Sequence, residues 1–187
     1  MPRAHVQLAI RTDRLSALIM GGFPPLNGPY ADMLRITLAG DALSRAQSSP
    51  APGESDTPNQ ESQWSSTALS KDQARQFLTL YQALQGFDDR AAQTRITCPR
   101  LCFVGSGDEM RYPPAWGGVH VSMAGPIVAG QAHLEDLGWD VYVLDGLDHM
   151  QAMLPTQVLP ILRPWLASKL APEHLHRASA SVRRRTL

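Results

Sequence analysis

The sequence predicts an α/β fold in which helices flank a short sheet of about three parallel strands. The main observation is a set of three compact apolar runs, each as long as a strand that is buried on both faces. They are Leu15 to Met20, Arg100 to Val104 and Trp139 to Leu144. Helical patterns separate the runs, and this alternation is typical of parallel sheets with right-handed crossovers.

The first apolar run has clear boundaries. A short helical pattern from Ala4 to Ile10 precedes it, and Gly21-Gly22 closes it. Phe23-Pro24-Pro25 then directs the chain into a loop, because proline fixes its own backbone angle and donates no hydrogen bond.

The segment between the first two runs contains a flexible stretch and a helix. Residues Arg45 to Gln63 are rich in Ser, Pro, Gly and Gln and predict a flexible insertion, since they bury too little apolar surface to become ordered. Ser70 and Gln73 form a capping box, and Gly86 ends the helix that follows. Its expected apolar face consists of Ala74, Phe77, Leu78, Tyr81 and Leu84.

Two further helices are predicted in the second half of the chain. One begins near Pro126, which suits a first helical turn, and ends at Gly138. The other carries Val158, Leu159, Leu162, Trp165 and Leu166, and Pro160 and Pro164 are expected to kink it.

Size and charge set limits on the function. A chain of 187 residues with 43% apolar side chains is long enough for one domain with a sizeable core. Seventeen basic residues balance seventeen acidic residues, so the net charge indicates neither a nucleic-acid surface nor a membrane partner, and a small neutral substrate is compatible with it. Residues 171 to 187 predict a disordered basic tail without a function of its own.

The expected compartment is the cytoplasm. Cys98 and Cys102 lie four residues apart along a predicted strand, which is too far for a disulfide bond between them, and they are expected to be reduced. The sequence shows neither a signal-peptide pattern nor an apolar run of membrane-spanning length.

Asp108 and His149 are the candidate catalytic residues. Asp108 follows the second predicted strand by four residues, and His149 follows the third by five. Functional groups of open α/β sheets gather at these carboxyl ends. A carboxylate that fixes one imidazole nitrogen leaves the other to take a proton, as in a catalytic triad. The alternative is that Asp108 is a turn residue and His149 an ordinary loop histidine.

Three segments resemble, in the same order, parts of the α/β-hydrolase family. Asp13 to Pro25 resembles the sixth strand and the loop into the cap, and Cys98 to Asp108 resembles the seventh strand with the triad acid in a Gly-x-x-Asp turn. Leu144 to Met150 is similar to the loop that carries the family's histidine, followed by a C-terminal helix with Trp165.

The resemblance implies a Ser-His-Asp hydrolase of an ester or similar small substrate, with no cofactor. Residues 1 to 170 would be the C-terminal part of one hydrolase domain, with strands six to eight and a partial helical cap at residues 41 to 94. His149 would be the base and Asp108 would orient it. Met20, Phe23, Phe77 and Tyr81 are candidates for a substrate pocket, although helical spacing favours core packing for the last two.

The sequence departs from the family at the nucleophile. The family's serine lies in a Gly-x-Ser-x-Gly elbow, and no two of the fourteen glycines here are four residues apart. The resemblance therefore places the nucleophile upstream of Met1. Three hypotheses follow: a hydrolase whose missing N-terminal half precedes this sequence, a non-catalytic remnant or binding module, and one part of an assembly whose other chain supplies the elbow. An open strand edge also predicts self-association of the isolated chain.

Other candidates are weaker. Ser106 is expected to be a turn residue. Gly105-Ser106-Gly107 lacks the third glycine of a dinucleotide site, because Met110 stands in its place. Asp145 and Asp148 are alternative acids, disfavoured because they are close to His149 along the same loop. His174 and His176 lack the fixed partners of a metal site, so no metal is expected, and His120 and His133 are expected at the surface.

Overall fold

The computed structural model describes residues 15–47 and 71–170. Within them the chain forms two compact units. The sheet unit comprises residues 15–28, 88–110 and 122–170, and the helical unit comprises residues 29–47, 71–87 and 111–121. The sequence-predicted helix at Ala4 to Ile10, most of the insertion, Ser70 of the capping box and the basic tail lie outside the described residues.

The fold is α/β, with a three-stranded parallel sheet flanked by helices. The five described strands are β1 Leu18–Gly21, β2 Arg100–Gly105, β3 Glu109–Arg111, β4 His120–Ser122 and β5 Trp139–Leu144. The described helices are α1 Tyr30–Gln47, α2 Lys71–Ala83, α3 Asp89–Gln93, α4 Ala124–Ala129, α5 Gln131–Asp136, α6 His149–Ala152 and α7 Pro155–Lys169, with a 3-10 turn at Pro114–Trp116.

The parallel sheet has the order β1-β2-β5, and β3 and β4 form a separate two-stranded sheet. Leu18 pairs with Arg100 at the start of β1, and Arg100 pairs in turn with Trp139 at the start of β5. All three strands therefore begin at one edge of the sheet, and their carboxyl ends lie together at the opposite edge.

Apolar side chains cover the central strand on both faces. Leu101 and Phe103 on one face form a buried cluster with Trp165 of α7. Cys102 and Val104, which alternate with them, face the other way and are fully buried. Full burial of side chains of this kind stabilises a fold by about 1.5–3 kcal/mol each for the larger ones, so β2 anchors the sheet unit.

The second half of the chain differs from the sequence prediction in one helix. The expected single helix up to Gly138 is divided into α4 and α5 at Gly130, where the N–H group of Gly130 donates to the carbonyl oxygen of Pro126. Pro160 and Pro164 both lie inside α7, as predicted for the last helix.

The helical unit pairs α1 with α2. Ile36 of α1, Tyr81 of α2 and Leu84, directly after α2, are buried. Gly40 allows the Trp116 ring to pack on α1, because a Cβ atom at residue 40 would lie 2.7 Å from that ring. Residues 45–47 belong to the flexible insertion that the sequence predicts, whereas in the structure they form the last turn of α1.

Candidate active site

Asp108 ends a tight turn that follows β2. Its N–H group donates a hydrogen bond of 3.0 Å to the carbonyl oxygen of Gly105. Its own carbonyl oxygen accepts from the N–H groups of Met123 and Ala124, at 3.0 and 3.2 Å, where α4 begins. Hydrogen bonds therefore hold the backbone of Asp108 on both sides and fix the direction of its carboxyl group.

Hydrogen bonds join this turn to the loop that follows β5. The N–H group of Gly107 donates to the carbonyl oxygen of Leu147 at 2.9 Å. The Ser106 hydroxyl accepts from the N–H group of Gly146 at 2.8 Å and donates to the Asp145 carboxylate at 3.2 Å. Ser106 thus has the turn role that its sequence position predicts.

The two loops approach so closely that glycine is required at residue 105. A Cβ atom on Gly105 would overlap the carbonyl group of Leu147. This role of Gly105 is not among the sequence predictions. The sequence signal for this role is the glycine of the Gly-x-x-Asp turn, because a glycine at the end of a strand often marks a close approach between two backbone segments.

His149 is the first residue of α6, which Asp148 caps. The Asp148 carboxylate accepts from the N–H group of Gln151 at 2.8 Å, and the Gln151 side chain accepts from the N–H group of Asp148 at 3.1 Å. This reciprocal capping box stabilises the start of a helix. The backbone that carries His149 is therefore held in place by its neighbours.

The two candidate residues meet directly. His149 Nδ1 lies 2.7 Å from Asp108 Oδ2, so the hydrogen bond that the sequence analysis expects is present. The Asp108 side chain is fully buried and that of His149 is 27% exposed. An ionised carboxylate only accepts hydrogen bonds, so Nδ1 carries the proton and Nε2 is the nitrogen that takes one up.

The two alternative acids have other partners. Asp145 accepts the hydroxyl of Ser106, and Asp148 caps α6. Asp108 is the carboxylate that hydrogen bonds to the His149 ring.

The environment of His149 favours its protonated form. The hydrogen bond to Asp108 is the largest cause that raises the pKa of His149, and the charges of Asp108 and Asp148 raise it further. Burial acts in the opposite direction but is outweighed. Asp108 Oδ1 is buried and has no hydrogen-bond partner among the described residues. The pair is thus built to stabilise an imidazolium ion at His149.

Gly22, directly after β1, packs against the His149 ring. Its φ angle is +60°, and a Cβ atom there would lie 2.6 Å from Cε1 and 2.9 Å from Nδ1 of His149. The ring therefore needs a residue without a side chain at this position. The Gly21-Gly22 pair marks the end of the strand in the sequence, but this contact follows only from the three-dimensional structure.

The four candidate pocket residues divide between the two units. In the sheet unit, Met20 is buried in β1, and Phe23 is half-buried just after it. In the helical unit, Tyr81 is buried, and its burial raises its pKa to about 12. Phe77 is 45% exposed on α2.

Two of the remaining histidines lie at the protein surface. His120 and His133 are exposed, as expected, and His174 and His176 lie outside the described residues. Residues 15–47 and 71–170 contain no group of three side chains that could hold a metal ion. None of the helices in these ranges is long and apolar enough to cross a bilayer.

Comparison with family models, curated proteins and solved structures gives no match to this chain. Its function must therefore be argued from the geometry of the site.

Proposed function

We propose that this chain supplies the acid and the base of an α/β-hydrolase that cleaves an ester or similar small substrate by a Ser-His-Asp mechanism. The observation that carries the proposal is the 2.7 Å hydrogen bond between the buried Asp108 carboxylate and Nδ1 of His149. Both groups follow the carboxyl ends of paired parallel strands, where α/β enzymes place catalytic groups.

The division of roles follows from the geometry. Asp108 holds the proton on Nδ1, which leaves Nε2 to accept a proton from the nucleophile and later return it to the leaving group. The Asp108 charge stabilises the imidazolium ion that forms in between. The raised pKa of His149 has the direction that this stabilisation requires.

The nucleophile and its oxyanion hole are not identified in this sequence. In the proposed mechanism another segment or another chain carries the Gly-x-Ser-x-Gly elbow, together with the backbone N–H groups that bind the oxyanion. We expect the 187-residue chain by itself not to turn over activated esters above background, because a base cannot replace a missing nucleophile.

The second candidate is a non-catalytic binding module or remnant. The absence of the elbow favours it, since no two glycines have the required spacing. In that case the Asp108–His149 pair would serve stability only.

A protein extended upstream of Met1 distinguishes the hydrolase from the non-catalytic module. We would read the coding DNA upstream of Met1, express the chain with any in-frame segment that contains the elbow, and label the product with a fluorophosphonate probe. Labelling of the elbow serine should fall by roughly 10⁴-fold or more in His149→Ala. His133→Ala, a change at an exposed histidine on α5, should leave it unchanged.

Two results would contradict the hydrolase proposal. One is equal labelling in His149→Ala and the parent protein. The other is an upstream stop codon, together with no labelling when an elbow-bearing hydrolase half is supplied as a second chain. Esterase activity of the 187-residue chain alone that depends on His149 would instead reveal a nucleophile elsewhere in this sequence.

We place this activity in the cytoplasm. Cys98 and Cys102 are both free thiols, as expected in a reducing compartment. Burial raises the pKa of Cys102 to about 12, so this thiol stays protonated and unreactive.

A further inference from the structure

A cavity of about 350 Å³ lies in the sheet unit at the edge where the parallel strands begin. Arg100, the first residue of β2, forms part of its wall. Asp108 and His149 follow the opposite ends of the strands. Six residues of strand span about 20 Å, so the cavity is separate from the candidate active site.

The charged groups of the cavity wall carry a net positive charge. Arg90 and Arg100 contribute two guanidinium groups, and Asp136 contributes the one carboxylate of the wall. Among the described residues, neither arginine forms a salt bridge with a carboxylate. The excess positive charge is therefore available to a negatively charged ligand.

Among the described residues, Arg100 is held at the cavity by two long hydrogen bonds. Its Nε donates to the carbonyl oxygen of Gly138 and its Nη1 to that of Gln93, both at 3.4 Å. Partial burial removes part of the hydration of the Arg100 charge and lowers the pKa of this residue. A carboxylate or phosphate group matches the planar donors of a guanidinium group and would replace that hydration.

The rest of the cavity wall contains a hydrogen-bonded glutamine and apolar side chains. Gln93 is buried, donates to the carbonyl oxygen of Pro25 at 3.0 Å and accepts from the indole N–H group of Trp139 at 2.8 Å. Leu26 and Ile96 are buried apolar residues of the same wall. The cavity thus combines cationic donors with an apolar surface, at a volume near the lower end of small-molecule sites.

We propose that this cavity is a second binding site of the chain, which takes a small organic anion through Arg90 and Arg100 and packs the apolar part of the ligand against Leu26 and Ile96. The site does not depend on the proposed hydrolase function. It lies at the edge of the sheet where the strands begin, and its ligand does not reach His149.

Trp139 provides a built-in reporter for the test. Its indole N–H group bonds to Gln93 at the cavity, whereas that of Trp165 bonds to Asp140 and serves as an internal reference. Benzoate would be titrated into the ¹⁵N-labelled 187-residue chain. We expect a saturable shift of the Trp139 indole signal at millimolar concentrations and no matching shift for Trp165. Benzyl alcohol, the uncharged probe, should give no saturation.

Arginine variants show whether the two guanidinium groups carry the binding. Arg90→Gln and Arg100→Gln should each weaken benzoate binding roughly tenfold, the loss expected for a charge-assisted hydrogen bond. Arg163→Gln removes an exposed arginine of α7 and should leave the affinity unchanged. If Arg100→Gln fails to fold, the affinity of Arg90→Gln for benzoate tests the proposal. Arg90 is exposed, so its replacement should not affect folding.

Three outcomes would overturn the proposal. They are no saturable shift of the Trp139 signal, equal binding of benzoate and benzyl alcohol, and equal weakening by Arg90→Gln and Arg163→Gln. The last would mean that benzoate responds to the overall charge of the protein and not to this cavity.

Discussion

Three residues hold the side chain of His149 in position. Asp108 binds its Nδ1, Asp148 caps the helix that it begins, and Gly22 leaves room for its ring. The fully buried Asp108 has no other side-chain partner among the described residues. The hydrogen bond to Asp108 is the largest cause that raises the pKa of His149, and its contribution can be measured.

The first prediction concerns the titration of His149. Its pKa should lie above the ordinary value of 6.5, and Asp108→Asn should lower it by removing both the charge and the strongest acceptor. NMR titration of the histidine ring signals measures this directly. The signal of exposed His133 should not change between the two proteins. An unchanged His149 titration in Asp108→Asn would contradict the assigned pairing.

The same shift links pH to stability. Because the folded state raises the pKa, the pair contributes its full stabilisation below the unfolded value of about 6.5 and loses it as pH rises through the folded value. The difference in free energy of unfolding between the parent chain and Asp108→Asn should therefore shrink as pH rises through that range. Urea unfolding at several pH values measures it.

Position along the chain is enough to predict that Asp108 and His149 meet. Each follows a strand that a compact apolar run identifies, and parallel strands bring their carboxyl ends together. The contact between Gly22 and the ring could not be predicted, because it depends on a positive φ angle and on packing between distant segments. The division of the pocket candidates between two units was also beyond sequence reasoning, since apolar character alone does not specify a neighbour.

At the scale of elements, the central and last strands of the parallel sheet follow from the sequence. β5 has the predicted bounds, and β2 extends one residue further, to Gly105. β1 begins at Leu18 and not at Leu15, because its partner begins at Arg100 and the residues before Leu18 precede that pairing. An apolar run indicates burial, whereas the length of a strand depends on its neighbour.

Neither α1 nor the β3-β4 pair has a clear signal in the sequence. Ile36 of α1 is buried while Leu38, two residues on, is 46% exposed, so the apolar residues do not mark one face of the helix. β3 and β4 have three residues each, too few to show a period of two. Tertiary packing, and not the local sequence pattern, determines where both elements form.

A third prediction concerns Gln93, which joins α3 to β5. Gln93→Leu removes the acceptor of the buried Trp139 indole N–H group and should lower the free energy of unfolding by about 1–3 kcal/mol. Gln131→Leu is the matched control, because the Gln131 side chain donates to Glu135 at the surface of α5 and its loss should cost about 0.5 kcal/mol or less. Equal effects in chemical denaturation would show that Gln93 has no special structural role.

At the scale of the whole molecule, β1 pairs with another described strand on one side only. It is one of the two terminal strands of the order β1-β2-β5. Leu18 and Gly22 donate their N–H groups to the carbonyl oxygens of Pro99 and Phe103, on the β2 side. Since successive residues of a strand alternate in direction, the N–H group of Ile19 points away from β2.

This open edge predicts self-association of the 187-residue chain. An apolar strand without charged or proline residues within it can pair with a second copy through its backbone groups. We expect sedimentation to show larger species as concentration rises. We also expect the Ile19 amide to exchange with solvent more slowly in concentrated than in dilute samples, while the Met20 amide, which points towards β2, keeps the same rate.

Hydrogen exchange distinguishes the three arrangements that this edge can have. Slow Ile19 exchange at every concentration would mean that another segment of the same chain covers β1. Fast exchange at every concentration, with a monomer in sedimentation, would mean that the edge stays open, and either result would contradict self-association. If the chain is extended by an elbow-bearing segment that pairs with β1, Ile19 should become protected in the monomer, because that segment supplies the missing backbone partners.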